Sequence, residues 1–292
     1  MALYHAHTSF ISRASNNKTC THAAYITAEK VYDNHTGMTF DYRNKAEEVV
    51  HKYILLPEGM EHLNATEKLW NTVEEFEDKI AEERYGKYKD PIKQAKSLAA
   101  KERFLSKAAT AFKMECSLPK ELTLEEKKEL SNVIAEEVFG TKKLIVQYAI
   151  HDIKDNPHVH YVSNFRPIID GKFSLRKAYF MSSDIKVIRQ QVADITNNYA
   201  KERGCCFVID HRSYKDQGIK IEPTKHQGWW ASTLGEESRI VLENKEILSR
   251  NTASLLQSPE EMVKVLIQNK TVFTLDEFKK SVQQKFGNDP QV

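Results

Sequence analysis

Three histidines in one short stretch of this sequence have the type and spacing of a metal site. His151, His158 and His160 lie within residues 145–167, where the pattern predicts two short apolar strands joined by a polar turn. Because side chains alternate between the faces of a strand, His158 and His160 project to the same side. The turn formers at residues 152–157 fold one strand back on the other, which brings His151 close to that pair.

Three neutral imidazoles on a rigid sheet suit a divalent metal, with coordination positions left open for a substrate. The alternative is three ordinary histidines on a half-exposed sheet, and the spacing favours the metal. His5 and His7 form a second same-face pair, in a first strand predicted at residues 3–11. This pair has no third histidine in an adjoining predicted strand, so we expect it on the sheet surface or beside the ligands.

A nucleophile for such a site must come from elsewhere in the chain, and Tyr25 is the candidate. A helix is predicted at residues 21–32, with Tyr25 on a polar stripe beside His22 and Glu29. The small residues just before Tyr25 leave access to it. A tyrosine on a helix is more often half-buried packing, so spacing alone leaves both interpretations open.

The elements that position these residues indicate an α+β fold, because several strands are mixed with helices along the chain. Further strands are predicted at residues 38–42, 49–56, 109–118 and 206–209. Further helices are predicted at residues 66–85, 92–106, 123–140, 183–203 and 238–250.

Composition limits the class of protein. A chain of 292 residues can bury a sizeable core, and its net charge of +2 is too small to indicate nucleic acid by itself. The four cysteines lack zinc-site spacing, and an adjacent pair among them makes a poor disulfide framework. The sequence has no signal peptide and no apolar run near twenty residues, so we expect a reduced, soluble, cytoplasmic protein.

A series of short motifs occurs in order along residues 2–228. The motifs include Ala23-Ala24-Tyr25, Ile54-Leu55-Leu56-Pro57, Leu69-Trp70-Asn71, Asn156-Pro157-His158-Val159-His160, Ile209-Asp210-His211-Arg212-Ser213 and Glu222-Pro223-Thr224. In these motifs and their order, the sequence resembles the MobA/MobL family of plasmid mobilisation relaxases, members of the HUH endonuclease superfamily. It is also similar to the N-terminal relaxase part of TraA-type conjugative relaxases.

The resemblance implies a fold and a reaction. The fold would be a central antiparallel β-sheet with flanking helices and a metal site on the open sheet face. Tyr25 matches the family's catalytic tyrosine, and His151, His158 and His160 match its metal ligands. The implied reaction is nicking and rejoining of single-stranded DNA at a plasmid transfer origin in a bacterium, through a 5′-phosphotyrosyl intermediate. Accessory relaxosome proteins and a coupling protein are the implied partners.

The implied cofactor is a divalent metal, with Mg²⁺ or Mn²⁺ expected in activity. Imidazole ligands also admit Zn²⁺, Co²⁺ or Ni²⁺. Two other functions stay open from the sequence. One is a metal-dependent nuclease that uses an activated water, and the other is a non-catalytic DNA-binding or replication-control module.

Two features depart from the family pattern. Family members often carry Glu-x-Glu before a Leu-Pro motif, whereas here Lys113 takes the first position and only Glu115 remains. We expect Glu115 to be a partner of a ligand histidine or of Tyr25. The second departure is a charged helical insertion near residues 79–106, which is either a basic arm over the DNA or a solvated helical hairpin.

DNA contacts beyond the catalytic residues are predicted from basic and aromatic side chains beside the motifs, although any of them is as easily an ordinary solvated side chain. The candidates are Arg13, Arg43, Arg166, Arg176, Arg212 and Tyr214. After the relaxase-like residues 1–228, residues 229–292 are predicted to form a helical linker and the start of a further module. This tail is similar to the beginning of the helicase region of TraA-type proteins.

Overall fold

The computed structural model describes residues 4–14, 18–85, 87–153, 156–178, 182–225 and 238–258, with a few isolated positions between 260 and 279. The chain divides into two compact units, Ala2–Tyr199 and Ala200–Val292. Within the described ranges, no helix has both the length and the apolar composition needed to cross a membrane.

The first unit is built on a five-stranded sheet in which all neighbours are antiparallel, in the order β1-β5-β7-β6-β4. Its strands are β1 (Ala6–Ser12), β4 (Val49–Leu55), β5 (Ala109–Ser117), β6 (Val146–Ile153) and β7 (Asn156–Asn164). Two small hairpins accompany it, β2 (Lys30–Asp33) with β3 (Met38–Asp41), and β8 (Ile168–Ile169) with β9 (Lys172–Phe173). This confirms the predicted α+β class and the antiparallel sheet.

The described helices are α1 (Thr19–Thr27), α2 (Thr66–Arg84), α3 (Pro91–Ser106), α4 (Leu124–Val138), α5 (Ser182–Glu202) and α6 (Arg239–Leu256). Short 3₁₀ turns cover Arg43–Glu48, Glu61–Leu63 and Gly140–Lys142. The start of α4 is fixed by a capping box, in which the Thr123 hydroxyl accepts from the Glu126 amide while the Glu126 carboxylate accepts from the Thr123 amide.

The helix predicted at residues 21–32 is wrong beyond Thr27. Ala28 adopts a left-handed conformation with φ of 51°, which ends α1, and the chain then enters β2. Val31 and Tyr32 are β-branched and aromatic residues, which favour a strand once a hairpin partner is available. That partner is β3, so tertiary pairing overrides the helical spacing of the sequence.

Helices cover both faces of the sheet. On one face Ala149 of β6 packs in a core with residues of α1 and α2, and Trp70 of α2 donates from Nε1 to Oε1 of Gln147 at 2.6 Å. On the other face the Tyr148 hydroxyl donates to Asn132 of α4 at 3.3 Å. Because side chains alternate along β6, His151 projects with Gln147 and Ala149 onto the face that α1 and α2 share.

In the second unit, the main described element is helix α6, which pairs with the segment around Glu222. Arg250 of α6 pairs with Glu222 at 2.9 Å, and the predicted helix at residues 238–250 is confirmed. The predicted strand at residues 206–209 is reduced to a single bridge residue, Phe207. The predicted boundary at residue 228 lies outside the described residues, as does most of the predicted further module, and both stay predictions.

Candidate metal centre and nucleophile

The β6–β7 hairpin brings the three histidines together. His151 and His158 are direct partners across the two strands, and His160 lies two residues further along β7 on the same face. One nitrogen from each ring lies within 4.8 Å of the others, which is a spacing that a single cation can bridge. The hairpin geometry predicted from the sequence is therefore present, and the three residues can bind a metal.

Each imidazole has one nitrogen beside an acceptor of the protein. Nε2 of His151 lies 2.7 Å from the carbonyl of Ile26, and Nδ1 of His158 lies 2.7 Å from the carbonyl of Asn156. A carbonyl oxygen can only accept, so these nitrogens carry the proton and the opposite nitrogens keep a lone pair. On His160, Nδ1 lies 3.5 Å from the Glu115 carboxylate.

The opposite nitrogens are the atoms that fit a metal. Nδ1 of His151 and Nε2 of His160 are buried and have no hydrogen-bond partner among the described residues. Burying a polar atom without a partner is costly, and a cation removes that cost. Burial, and then the neighbouring His151 and His158, lower the pKa of His160 to about 2. Burial also lowers the pKa of His151, so both rings stay neutral and keep their lone pairs.

Helix α1 places Tyr25 beside this cluster. The Tyr25 ring centroid lies 6.3 Å from that of His151 and 6.3 Å from that of His160. The Tyr25 side chain is only half-buried, so part of it stays accessible. The preceding Ala23 and Ala24 are fully buried, so their small size allows α1 to approach the sheet rather than leaving access to Tyr25.

Glu115 lies where a partner of a ligand histidine is expected. On β5 it is the direct cross-strand partner of both His160 and His7. His7 thus lies beside the site on the neighbouring strand, in agreement with its predicted place outside the ligand set. Lys113 lies on the same face of β5 as Glu115. Burial, and then the charge of Lys113, lower the pKa of His22 to about 4.

Lys45 is a site residue that the sequence did not indicate. It lies in the 3₁₀ turn before β4, and its ammonium is 4.9 Å from the centroid of the Tyr25 ring. Tyr42 packs edge-on against the same ring, with centroids 5.5 Å apart. Nothing in the sequence spacing relates Lys45 to Tyr25.

Comparison with known proteins assigns the family. The sequence model of the MobA/MobL family matches residues 18–88 and 98–237. The chain belongs to the MobA/MobL family. This confirms the resemblance drawn from the motifs, and the matched residues include Tyr25, Glu115 and the three histidines.

Relatives of this MobA/MobL chain are named as conjugal transfer or mobilisation proteins. The conjugal transfer protein TraA of Agrobacterium fabrum is 25% identical, over 100% of this chain and 28% of that protein. A probable mobilization protein MobA of Bifidobacterium longum is 27% identical, over 86% of this chain and 48% of that protein. The mobilization protein MobL of Acidithiobacillus ferridurans is 25% identical, over 82% and 66%. The chain therefore spans little more than a quarter of the TraA relative.

A solved structure from a study of the molecular basis of vancomycin resistance transfer in Staphylococcus aureus has the same fold. It aligns with a TM-score of 0.58 and 22% sequence identity, over 73% of this chain and 100% of that one. At this identity the likeness shows the fold alone.

The structure gives two of the predicted DNA-contact residues a different role. Nε of Arg13 lies 2.9 Å from the Glu74 carboxylate, and both side chains are only 8% exposed. Nε of Arg166 lies 2.7 Å from Glu77, with 6% and 3% of the side chains exposed. These are buried ion pairs that join the sheet region to α2, and they leave little guanidinium surface for a phosphate. For Arg13 and Arg166 the geometry therefore points away from DNA contact.

The other predicted DNA contacts stay predictions. Arg43 is exposed and pairs with Asp41 at 2.7 Å, and Arg176 is also exposed. Arg212 pairs with Asp210 at 2.7 Å, and Tyr214 packs against a small cluster that includes Leu255. Arg212 and Tyr214 belong to the second compact unit.

Proposed function

We propose that this MobA/MobL chain is a relaxase, which nicks and rejoins one DNA strand at a plasmid transfer origin. The observation that carries the proposal is the Tyr25 phenol beside three histidines whose free nitrogens converge. Neither Tyr25 nor the histidine cluster is specific alone, since a tyrosine on a helix commonly only packs against the core and three histidines occur in many kinds of metal site. Their combination on one face of the sheet, in a chain of this family, supports a tyrosine nucleophile acting on a phosphodiester.

The proposed reaction is a transesterification. The Tyr25 oxygen forms a bond to phosphorus while the bond from phosphorus to the 3′-oxygen breaks. The phenol loses its proton and the departing 3′-oxygen gains one, so no water is consumed. The products are a 5′-phosphotyrosyl DNA end and a free 3′-hydroxyl.

The three histidines would hold a divalent metal through the nitrogens that have no protein partner. Bound there, a cation would supply positive charge that offsets the negative charge growing on the phosphate in the transition state. Mg²⁺ or Mn²⁺ is the proposed metal in activity, and the imidazole ligands also suit Zn²⁺, Co²⁺ or Ni²⁺. Glu115 would keep His160 oriented, because its carboxylate lies 3.5 Å from Nδ1, favours the proton there and leaves Nε2 toward the site.

The same residues serve the return step. A phenol ordinarily ionises near a pKa of about 10, so a phenolate is a far better leaving group than an alkoxide. A DNA 3′-hydroxyl can therefore attack the phosphotyrosine, release Tyr25 and rejoin the strand. The proposed partners are single-stranded DNA, accessory relaxosome proteins and a coupling protein.

The adduct assay tests this function. Single-stranded oligonucleotides that tile the transfer origin are incubated with the protein and Mg²⁺ or Mn²⁺, and covalent protein–DNA products are resolved on denaturing gels. We expect an adduct with the wild type, none with Tyr25→Phe, and equal metal affinity in both proteins. An adduct that persists in Tyr25→Phe would exclude this nucleophile. Nicking without an adduct would indicate a nuclease that uses water, and chelator-insensitive binding without cleavage would indicate a non-catalytic DNA-binding module.

A further inference from the structure

The insertion that contains α3 is the most basic part of the chain. Residues 85–107 contain seven lysine or arginine residues against two acidic ones, in a chain whose net charge is only +2. Among the described residues, Lys101 is the one cation of this segment with an ion-pair partner, Glu82 of α2. The rest of its positive charge is therefore not neutralised within the described fold.

Helix α3 is also exposed to solvent along its length. None of its residues is buried, and Ile92 and Leu98 are 68% and 49% exposed. The sequence model of the family leaves residues 89–97 unmatched, which is the first half of this helix and the turn before it. The second half of α3, which carries Arg103 and Phe104, lies within the matched residues.

A groove of about 470 Å³ lies where α3 returns to the sheet. Its walls carry two aromatic rings, Tyr85 and Phe104, whose centroids are 5.8 Å apart. They also carry Arg103, Lys107 and Lys177. Lys177 is held by Glu77 at 3.2 Å, whereas Arg103 and Lys107 are exposed and form no ion pair with another described residue. The volume lies within the range of about 300–1,000 Å³ that is usual for ligand sites.

Unpaired cations beside aromatic rings are the chemistry by which proteins bind single-stranded nucleic acid. The cations contact phosphates, and each ring offers a surface on which an unstacked base can lie. Arg84 adds a further cation, with its guanidinium carbon 5.4 Å from the centroid of Phe104. A duplex keeps its bases stacked on each other and cannot use the rings in this way.

We propose that this groove binds the single-stranded DNA that flanks the nick. Ala109 lines the groove at the start of β5, and Glu115 lies further along the same strand, on the order of 20 Å away at about 3.3 Å per residue. The groove is therefore separate from the histidines and Tyr25, and it holds the strand rather than reacting with it. The identity of the ligand rests on the proposed relaxase function.

The test compares two charge-matched double variants in α3 and the turn that follows it. Arg103→Gln/Lys107→Gln removes the unpaired cations of the groove, and Lys93→Gln/Lys96→Gln removes two exposed lysines that do not line it. Binding of a fluorescent oligothymidylate is measured by anisotropy over a range of salt concentrations. For the groove variant we expect affinity to fall about tenfold and the salt slope to fall by about 1.4, since each single-strand phosphate contact contributes about 0.7. The control should lose less than about twofold in affinity, because it keeps the cations that contact phosphate.

Photocross-linking locates the contact without changing the protein. An oligothymidylate that carries iododeoxyuridine is irradiated with the wild-type chain, and the cross-linked peptides are sequenced by mass spectrometry. Cross-links at Tyr85 or Phe104 would support the groove. Cross-links that avoid this peptide, equal losses in the two double variants, or equal affinity for a duplex of the same length would each overturn it.

The adduct assay, run in parallel on the wild type, keeps the two proposals apart. Cross-links in the groove from a protein that forms no adduct would reject the relaxase function and retain the groove. If the wild type forms an adduct but the groove variant binds DNA as tightly as the wild type, the relaxase function is retained and the groove is rejected.

Discussion

Glu115 and His160 lie directly opposite each other on β5 and β7, with the carboxylate 3.5 Å from Nδ1 of the imidazole. At this separation the contact is longer than a good hydrogen bond, so small movements on metal binding can tighten it. The carboxylate favours the proton on Nδ1 and so leaves Nε2 for a metal. The sheet register, rather than a flexible loop, sets this relationship.

Removing the Glu115 carboxylate should weaken metal binding. We expect Glu115→Ala to lower the affinity for Mn²⁺ by about 10–100-fold, because the ring of His160 loses the acceptor that orients it. Isothermal titration of metal-free protein measures the affinity. Glu83→Ala, which removes an exposed carboxylate of α2, is the matched control and should leave the affinity unchanged. Equal Mn²⁺ affinities for Glu115→Ala and the wild type would mean that the carboxylate does not orient the ligand.

The buried pair of Arg166 and Glu77 should matter for stability rather than for DNA binding. Arg166→Met removes the closest partner of the buried Glu77 carboxylate but leaves Lys177 at 3.2 Å, so we expect the free energy of unfolding to fall by about 1.5–3 kcal/mol. Urea unfolding measures this loss. Arg43→Met, which removes an exposed arginine, should leave the urea midpoint nearly unchanged. A folded Arg166→Met protein of wild-type stability that binds single-stranded DNA less tightly would restore Arg166 as a DNA contact.

The metal half of the site was predictable because it is local. His151, His158 and His160 lie on two strands joined by a short turn, and strand periodicity alone determines which of them share a face. Tyr25 is different, since it lies more than a hundred residues upstream and only the family resemblance connects it to the histidines. Lys45 had no signal of either kind, because its contact with Tyr25 depends on how the turn before β4 packs.

The differences between the sequence predictions and the structure have the same physical origin. An arginine beside a motif looks alike in sequence whether it faces solvent or a buried carboxylate. The acidic partners of Arg13 and Arg166 lie on α2, and α2 meets them only through tertiary packing. The end of α1 was missed because pairing of β2 with β3 is a contact between segments, which helical spacing does not record.

His22 should make stability depend on pH. In the unfolded chain a histidine binds a proton below its ordinary pKa of 6.5, whereas burial keeps His22 neutral in the folded protein until about 4. The unfolded state therefore gains protons first, and stability falls as the pH decreases from 6.5. Between about pH 6.5 and 5.5 we expect the wild type to lose about 1 kcal/mol more than His22→Gln in urea unfolding of the metal-free protein. His62→Gln, on an exposed turn, should retain the wild-type pH dependence, and a parallel loss in His22→Gln would show that His22 is not responsible.

The ammonium of Lys45 should speed the attack by Tyr25. It lies 4.9 Å from the ring centroid, where a positive charge stabilises the negative charge that develops on the phenol oxygen as the phenol loses its proton. We expect Lys45→Met to lower the single-turnover rate constant of adduct formation by about tenfold, which corresponds to about 1.4 kcal/mol. Lys45→Arg should recover most of the rate because it keeps the charge, and Lys52→Met should react as the wild type does. Metal affinity measured on the same proteins should not change with Lys45→Met. An unchanged rate constant in Lys45→Met would mean that the cation only packs against the ring.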